Sequence, residues 1–528
     1  MPRSALLVAA ALLALASALQ AQPAPERHSE VRLFLPTDGT PAPDGRSSLQ
    51  ARLAAQGVGI DHARQEETER GLALRTVLSA RDVEAARAAG IEVEVLVEDL
   101  TAHYLATRSG TCQEGRVVSR IEANLCGSMG GYLTFDNVVR ALDSLAARYP
   151  DIVSPKVSLG QSWEGRDVWL VEISDAPGVE EDEPEVLYTA VHHAREPGSM
   201  MAVLYFMVYL AEQYGTNPEV TDLVDNRRLF FVPVVNPDGY VFNETTNPEG
   251  GGFWRKNRRD NGDGSFGVDP NRNYGYQWGY DDLGSSPFTD SQVYRGPAAF
   301  SEPEVAAVRD FLEARRITAA FNYHTYSELL LYPWGYTRDE GTPDAETFAA
   351  LGDTLTQANG YLAGQVSEVL YLANGNSDGW MYGEQTTKPK TFAFTPEVGY
   401  SFWPDPADVY PLADENLEAN LLLAQLAELP PSVSGEAAPA SPGLTLDVTG
   451  PNPVRAATGL AFTLAAPADV RLAVYDVLGR EVAVLADGAY PAGRHTLRVD
   501  ASGLAPSLYL VRLSAGRDTA VRRLTVVR

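Results

Sequence analysis

A chain of 528 residues that is 45% hydrophobic, 21% charged and 9% aromatic has ample apolar side chain for several cores. A rough length/150 prior gives about three to four domains, and the composition excludes a mainly disordered or collagen-like chain. Its 70 acidic against 42 basic residues, a net charge of -28, argue against nucleic acid and anionic membranes as partners.

The basic residues are skewed in kind. Lysine occurs only at 156, 256, 388 and 390, and arginine supplies the rest. An acidic, lysine-poor surface suits concentrated salt, which screens self-repulsion; a high-GC genome explains the same bias.

In chain order, Arg3 followed by the apolar run Ala5 to Leu19 and by Leu19-Gln20-Ala21 reads as a secretory signal peptide, residues 1–21, cut after Ala21, with Ala18 the other choice. No later segment reaches about 18 consecutive apolar residues, so the mature chain is expected to be exported without a transmembrane span. Export makes a disulfide between Cys112 and Cys126 the expected state. Their 15-residue loop would contribute roughly 3 kcal/mol on the loop-entropy model. Two free structural thiols are the alternative.

Residues 22–120 carry a small α/β pattern. Strands are predicted at Val31–Leu35, Leu72–Leu78 and Ile91–Val95, with a helix over Val83–Ala89 whose start has the Ser79/Asp82 capping spacing and which Gly90 ends. Their place, between a signal peptide and a large domain, suggests a pro-segment.

Residues 127–429 repeat the strand–helix pattern on a larger scale. Buried strands are predicted at Val168–Ile173, Val186–Val191, Leu229–Val235, Ile317–Tyr323 and Thr391–Thr395. Amphipathic helices fit Phe135–Arg148, Met200–Tyr214 and Pro303–Arg316. This is one α/β domain around a mostly parallel or mixed central sheet flanked by helices. The Gly-, Asn-, Asp- and Tyr-rich stretch from Asn236 to Phe300 reads as a long loop, and loops of that length are usually functional.

A Pro-rich linker follows at 430–443. Residues 444–528 then change sign, with ten arginines against seven acids. Alternating strands at Arg471–Tyr475, Glu481–Leu485, Thr496–Val499 and Leu508–Leu513, with turns at Leu478-Gly479 and Asp487-Gly488, read as a β-sandwich.

The chemistry begins where an apolar strand ends, at His193-Ala194-Arg195-Glu196. His-x-x-Glu brings an imidazole and a carboxylate within reach of one metal ion, but taken alone it equally describes a surface His and a helix-start Glu. His324 also ends an apolar run, and ligands of open α/β sheets gather at the carboxyl ends of strands. Two His and one Glu with a position left for water is a catalytic zinc set.

His193-Ala194-Arg195-Glu196, Asn236-Pro237-Asp238-Gly239-Tyr240, Trp254-Arg255-Lys256, Gly267-Val268-Asp269-Pro270-Asn271-Arg272-Asn273 and Leu331-Tyr332-Pro333-Trp334-Gly335-Tyr336 resemble, in this order, the zinc carboxypeptidases of the carboxypeptidase A/T type, peptidase family M14. The resemblance covers about 300 of 528 residues, and residues 25–110 resemble the pro-segment of bacterial members. It implies that His193, Glu196 and His324 hold one zinc ion and that Glu397 is the general base. Arg255 would polarise the scissile carbonyl, while Asn271 and Arg272 would clamp the terminal carboxylate. Tyr371 would close over substrate, with Arg195 and Tyr326 lining the cleft. Asp378 resembles the acid that selects basic residues in B-type enzymes. One departure is Pro396, where animal members carry an aromatic residue; Glu397 is untouched by it.

The roles also make chemical sense. Zinc lowers the pKa of bound water to about 7, where a free carboxylate can take its proton. A guanidinium matches a carboxylate in bidentate fashion. Asp260-Asn261-Gly262-Asp263-Gly264 hints weakly at calcium, but its twelfth position is Asn271 rather than Glu, and a plain Asp/Gly turn is the better reading. His192 is expected to support the ligands rather than join them.

The last domain resembles the C-terminal type A sorting domain of the type IX secretion system, through Pro451-Asn452-Pro453, Val474-Tyr475-Asp476-Val477-Leu478-Gly479-Arg480, Ala492-Gly493, Leu504 and Tyr509-Leu510-Val511-Arg512-Leu513. Ser507 departs from the usual glycine. A carbohydrate-binding or generic β module is the alternative. Together the residues predict a monomeric zinc carboxypeptidase, secreted or surface-held by a Gram-negative-type bacterium. It would meet peptide or protein C-termini and the secretion machinery, and remove basic and also hydrophobic residues. The rival functions are a cell-wall peptide carboxypeptidase and a non-catalytic surface-binding relative.

Overall fold

The computed structural model describes residues 26–34, 45–112, 125–427, 444–450, 454–475, 481–504, 507–515 and 518–526. The predicted signal peptide, the 430–443 linker, Pro451-Asn452-Pro453 and most of the 474–480 motif lie outside them.

The N-terminal unit is an antiparallel sheet in the order β2-β3-β1-β4, built from β1 (His28–Phe34), β2 (Arg64–Thr68), β3 (Gly71–Ser79) and β4 (Glu92–Val97). Its core gathers Val31, Leu33, Leu74 and Leu78 with Leu49 and Leu53 from the helix Gly45–Ala54. The helix Ala80–Ala88 starts under a side-chain cap, Ser79 Oγ accepting from Asp82 N at 3.1 Å. Strand β2 and the helices Gly45–Ala54 and Leu100–Thr107 were not expected from sequence. Cys112 and Cys126 are joined by a disulfide, with Cα atoms 5.6 Å apart.

The central domain is built on an eight-stranded mixed sheet, order β11-β10-β12-β9-β7-β8-β6-β5. Its strands are β5 (Val157–Gln161), β6 (Asp167–Ile173), β7 (Glu185–Ala190), β8 (Arg228–Val232), β9 (Ile317–Tyr323), β10 (Leu329–Tyr332), β11 (Leu362–Gln365) and β12 (Phe392–Glu397). Strands β12, β9, β7 and β8 run parallel to one another, and every residue of β7, β8 and β12 is buried, as expected for a sheet covered on both faces. The three parallel neighbours β7, β9 and β12 therefore end side by side, with Ala190 paired to Tyr323 and His324 bridged to Glu397. This edge of the sheet positions the site.

Two predicted elements need correction. The helix Pro197–Gln213 is not amphipathic, because its residues from Pro197 to Ala211 are all buried; it threads the core and has no solvated stripe. The stretch after Asn236 is not all loop. Asn236 Oδ1 accepts from Gly239 N at 3.0 Å and starts a helix over Pro237–Thr246, with Pro at the first position.

The C-terminal unit stacks two sheets around one core. Strands β13 (Leu444–Val448), β14 (Ala457–Leu464) and β17 (Gly493–Asp500) form one sheet. The other has the order β16-β15-β18-β19, from β15 (Ala468–Tyr475), β16 (Glu481–Tyr490), β18 (Ser507–Ala515) and β19 (Asp518–Val526). Leu446, Phe462, Leu472, Val474, Val511 and Leu513 interdigitate between them. The predicted turn at Asp487-Gly488 is wrong: both residues lie inside β16, paired with Arg471 and Val470. Gly488 takes φ +141°, which its missing Cβ permits within a strand at the sheet edge. Among the described residues no helix is long and apolar enough to cross a membrane.

Candidate active site

The strand ends carry the site. Past β7 the chain turns through His193 to Glu196, which stands just before the buried helix 197–213. His324 follows β9 directly and Glu397 closes β12. His193 Nδ1 lies 2.7 Å from Glu196 Oε1, His324 Nδ1 lies 2.8 Å from Glu196 Oε2, and the two Nδ1 atoms are 3.1 Å apart. All three side chains are buried.

These residues can hold one metal ion. Two imidazole nitrogens and one carboxylate oxygen, three protein donors, is the set of a catalytic zinc with an open fourth position. Burial pushes the Glu196 carboxyl up, but His193 and His324 hold it well below the usual carboxylate range, so the set offers a cation one negative charge at neutral pH. The donors are oriented from behind. His193 Nε2 faces Asp269 Oδ1 at 3.2 Å, which leaves Nδ1 to face the ligand set, and His324 Nε2 lies 3.2 Å from Asn271 Nδ2. His192 is no part of the set. Its Nε2 meets the Tyr274 hydroxyl at 2.8 Å, and its ring stacks on that of His324.

Two arginines border the donors. Arg255 rests on Asp269 through Nε (3.0 Å) and Nη2 (2.8 Å), with Nη1 3.9 Å from Glu196 Oε1. Arg195 reaches the same side and lays its guanidinium 4.5 Å over the Phe402 ring. Arg272 is buried too. Its Nη1 donates to Asn271 O at 2.7 Å, while its Nε meets no protein acceptor. The Asn271 amide also accepts from Ser377 N at 2.8 Å. Asp378 is buried in the helix Ser377–Gly383. Its Oδ1 accepts from Asn376 Nδ2 and Gly379 N, and its Oδ2 has no partner. Burial pushes its carboxyl up to about 6.

Against this site, 282 residues of the chain (138–419) match the family model for zinc carboxypeptidase. A zinc carboxypeptidase of Saccharothrix mutabilis subsp. capreolus is 31% identical over 79% of this chain and 93% of its own length. The chain belongs to the zinc carboxypeptidase family. It is accordingly a metallocarboxypeptidase. Carboxypeptidase A2 of Rattus norvegicus is 34% identical over 54% of this chain and 67% of its own. Among solved structures, carboxypeptidase A from Helicoverpa armigera superposes with TM-score 0.60 at 23% identity, over 78% of this chain and all but 1% of that one. Thrombin activatable fibrinolysis inhibitor gives 0.58 at 25%, over 76% and 99%. Residues 451–527 match a secretion system C-terminal sorting domain, which implies a secreted or cell-surface protein.

The carboxypeptidase fold thus brings His193, Glu196, His324, Glu397, Arg255 and Arg195 into one buried cluster, with Tyr371 and Tyr326 beside it and Arg272 and Asn271 adjoining. Sequence reasoning missed three members. Asp269 sits inside a quoted motif, but nothing in its spacing showed that it joins His193 to Arg255. The others are Asp61 and His62, which enter from the N-terminal unit. Asp61 Oδ2 binds Arg255 Nη1 and Arg195 Nη2, Tyr371 OH donates to Asp61 Oδ1 at 2.8 Å, and His62 Nε2 lies 3.3 Å from Glu397 Oε2. Burial opposes ionisation of Asp61, yet Arg255, His62 and Arg195 hold its carboxyl well below the usual range. The Asp260–Gly264 segment is an Asp/Gly turn: Asp260 accepts from Gly262 N, and Asp263 from Ser265 N and Thr289 Oγ1.

Proposed function

We propose that this carboxypeptidase removes basic residues, and hydrophobic ones less readily, from the C-termini of peptides and proteins outside the cell of a Gram-negative-type bacterium. The observation that carries the specificity is Asp378, a fully buried carboxylate with one oxygen unpartnered. A buried unpaired acid costs stability unless something basic reaches it, and an Arg or Lys side chain supplies that partner.

Bound zinc would supply a water of lowered pKa and a Lewis acid for the carbonyl. The chain's own groups do the rest. Glu397 takes the water's proton and passes it to the leaving amine. Arg255, fixed by Asp269, donates to the oxyanion. Arg272 and Asn271 hold the terminal carboxylate, which confines cleavage to chain ends, and Tyr371, Tyr326 and Arg195 line the cleft. Residues 22–120 serve as a pro-segment removed between about Arg108 and Gly131. The alignment with thrombin activatable fibrinolysis inhibitor supports this, because it spans more of the chain than the catalytic match does.

Peptides ending in Arg, Lys or Phe, together with murein fragments, are the test panel, each with and without a chelator. Release of C-terminal Arg and Lys that stops on chelation is the expected result. Chelator-insensitive release overturns the metal-dependent mechanism, and a preference for murein fragments moves the substrate to the cell wall.

A further inference from the structure

We propose that Ser199 is a positioning residue for the metal donors: its hydroxyl holds a strained turn at Val191 and so fixes where His193 and Glu196 stand. The inference rests on the metal role of that pair given above. Ser199 lies three residues beyond the His-x-x-Glu motif, and it acts through the backbone, with its hydroxyl bonded to main-chain atoms at the two ends of the donor segment.

Strand β7 ends at Ala190, and Val191, the next residue, takes φ +52°. A left-handed backbone is costly for a residue with a Cβ, and most so for a β-branched one. Val191 is nevertheless buried, in the core that also holds Tyr188 and Tyr323. The position thus keeps a side chain that its backbone disfavours. Strain of this kind persists only where the neighbours over-determine it, and it gathers at functional sites.

The neighbours do over-determine it. Val191 N donates to Ser199 Oγ at 3.2 Å, and Val191 O accepts from Asn236 N at 3.0 Å. Ser199 sits in the first turn of the helix Pro197–Gln213, and its hydroxyl donates onward to Glu196 O at 2.6 Å. One buried oxygen therefore spans the segment 191–196 from end to end, with its proton at Glu196 and a lone pair at Val191. His193 lies inside that span and Glu196 closes it. The rest of the span is tied as well: Glu196 N donates to His193 O at 3.2 Å, Ala194 N to Arg255 O at 3.0 Å, and Asn236 Nδ2 to His192 O at 3.1 Å. Without the hydroxyl, Val191 N and Glu196 O lose their shared partner. Relaxation of Val191 to a negative φ would then swing His193 away from Glu196 and His324.

The test uses the full-length zinc-loaded chain and its variants Ser199→Ala, Val191→Gly and the two combined. One readout is the rate at which a chelator strips zinc. The other is the visible absorption of the cobalt-substituted protein, which reports the arrangement of the donors without any turnover. Ser199→Ala should lose zinc roughly ten- to hundredfold faster than wild type, the scale of losing a group that orients metal donors, and its cobalt spectrum should change. At residue 191 glycine takes a positive φ without a Cβ penalty. In the Val191→Gly background the same Ser199→Ala change should therefore quicken zinc loss by about threefold or less, the mark of two coupled residues. Unchanged zinc loss in Ser199→Ala overturns the proposal. Equal acceleration in both backgrounds overturns it too, and leaves Ser199 an ordinary contact of the helix start. Should Ser199→Ala not fold, Ser199→Cys offers a weaker donor and acceptor at the same place; zinc loss about threefold or more faster is then expected, and no change overturns the proposal. A wild-type chain that takes up no zinc would overturn the metal reading itself, and this inference with it.

Discussion

Arg255 sets both its Nε and its Nη2 on a single oxygen of Asp269, at 3.0 and 2.8 Å. The other oxygen faces His193 Nε2 at 3.2 Å. One buried carboxylate therefore orients the proposed metal donor and the arginine proposed to face substrate together, and Arg255 and His193 overcome its burial to hold its carboxyl well below the usual range. Asp269→Ala should weaken zinc binding roughly ten- to hundredfold, the usual effect of losing a partner behind a metal-bound histidine. It should lower kcat as well. Titration against a chelating metal buffer measures the first effect, and unchanged zinc affinity would remove Asp269 from the metal site.

Glu397→Gln isolates the proton transfer. The amide keeps the size of the side chain at the end of β12 but cannot accept the water's proton. Turnover should fall at least roughly a hundredfold, with zinc content and melting temperature near wild type. A variant with full zinc and wild-type kcat would mean that another group is the base.

Arg272→Ala should separate binding from chemistry. Its guanidinium has an Nε with no protein acceptor, and the proposed clamp engages the terminal carboxylate in ground and transition states alike. Loss of such uniform binding raises KM, here by about tenfold or more, and leaves kcat much closer to wild type. A fall in kcat at constant KM would place Arg272 on the reacting atoms instead.

How much of this site could be read in the sequence depended on where each residue lies relative to a strand end. His193 and His324 end apolar runs, so the rule that sites form at carboxyl ends of strands reached them; Glu196 came with the His-x-x-Glu spacing, whereas Glu397 was reached only through the family resemblance. Asp61 and His62 belong to the loop Gly57-Val58-Gly59-Ile60-Asp61-His62, which has neither periodicity nor a motif, and their partners are more than 130 residues away. Only tertiary structure joins them. The helix predicted as amphipathic over Met200–Tyr214 departs from expectation for a related reason: tertiary packing encloses its residues up to Ala211 on every side. In the β-sandwich, Asp487-Gly488 has the composition of a turn, but pairing with Val470 and Arg471 overrides that local preference.

Asp378 gives a pH dependence whose sign can be worked out. Burial pushes its carboxyl up to about 6, and capture of a basic side chain needs the ionised form. kcat/KM on Arg-ended peptides should therefore fall as pH drops through about 6, relative to Phe-ended peptides assayed alongside. The same group costs stability when ionised. Its folded pKa lies above the ordinary 3.8, so the cost is absent below about pH 4, grows as pH rises, and is complete above about 6, on the order of 3 kcal/mol. Asp378→Asn retains the Oδ1 acceptor. It should abolish the preference for basic ends and raise the melting temperature by a few degrees at pH 8 but not at pH 3.5. An equal loss on both peptide classes would remove Asp378 from the pocket.

The sorting domain makes a prediction about place rather than chemistry. Its two sheets close around their own core of Leu446, Phe462, Leu472, Val474, Val511 and Leu513, and every residue assigned to the reaction lies before residue 398. A domain with its own core is separable in principle. Deleting 444–528 should therefore leave kcat and KM within twofold of wild type. The same deletion removes the whole match to the secretion sorting family at 451–527, so the protein should accumulate inside the producing cell. Expression of both forms in the native host, followed by assay of cell fractions and medium, measures the two effects separately. Normal release of the truncated form would show that export does not depend on this domain. A drop in specific activity would make the sandwich part of the enzyme, although none of its described residues belongs to the site.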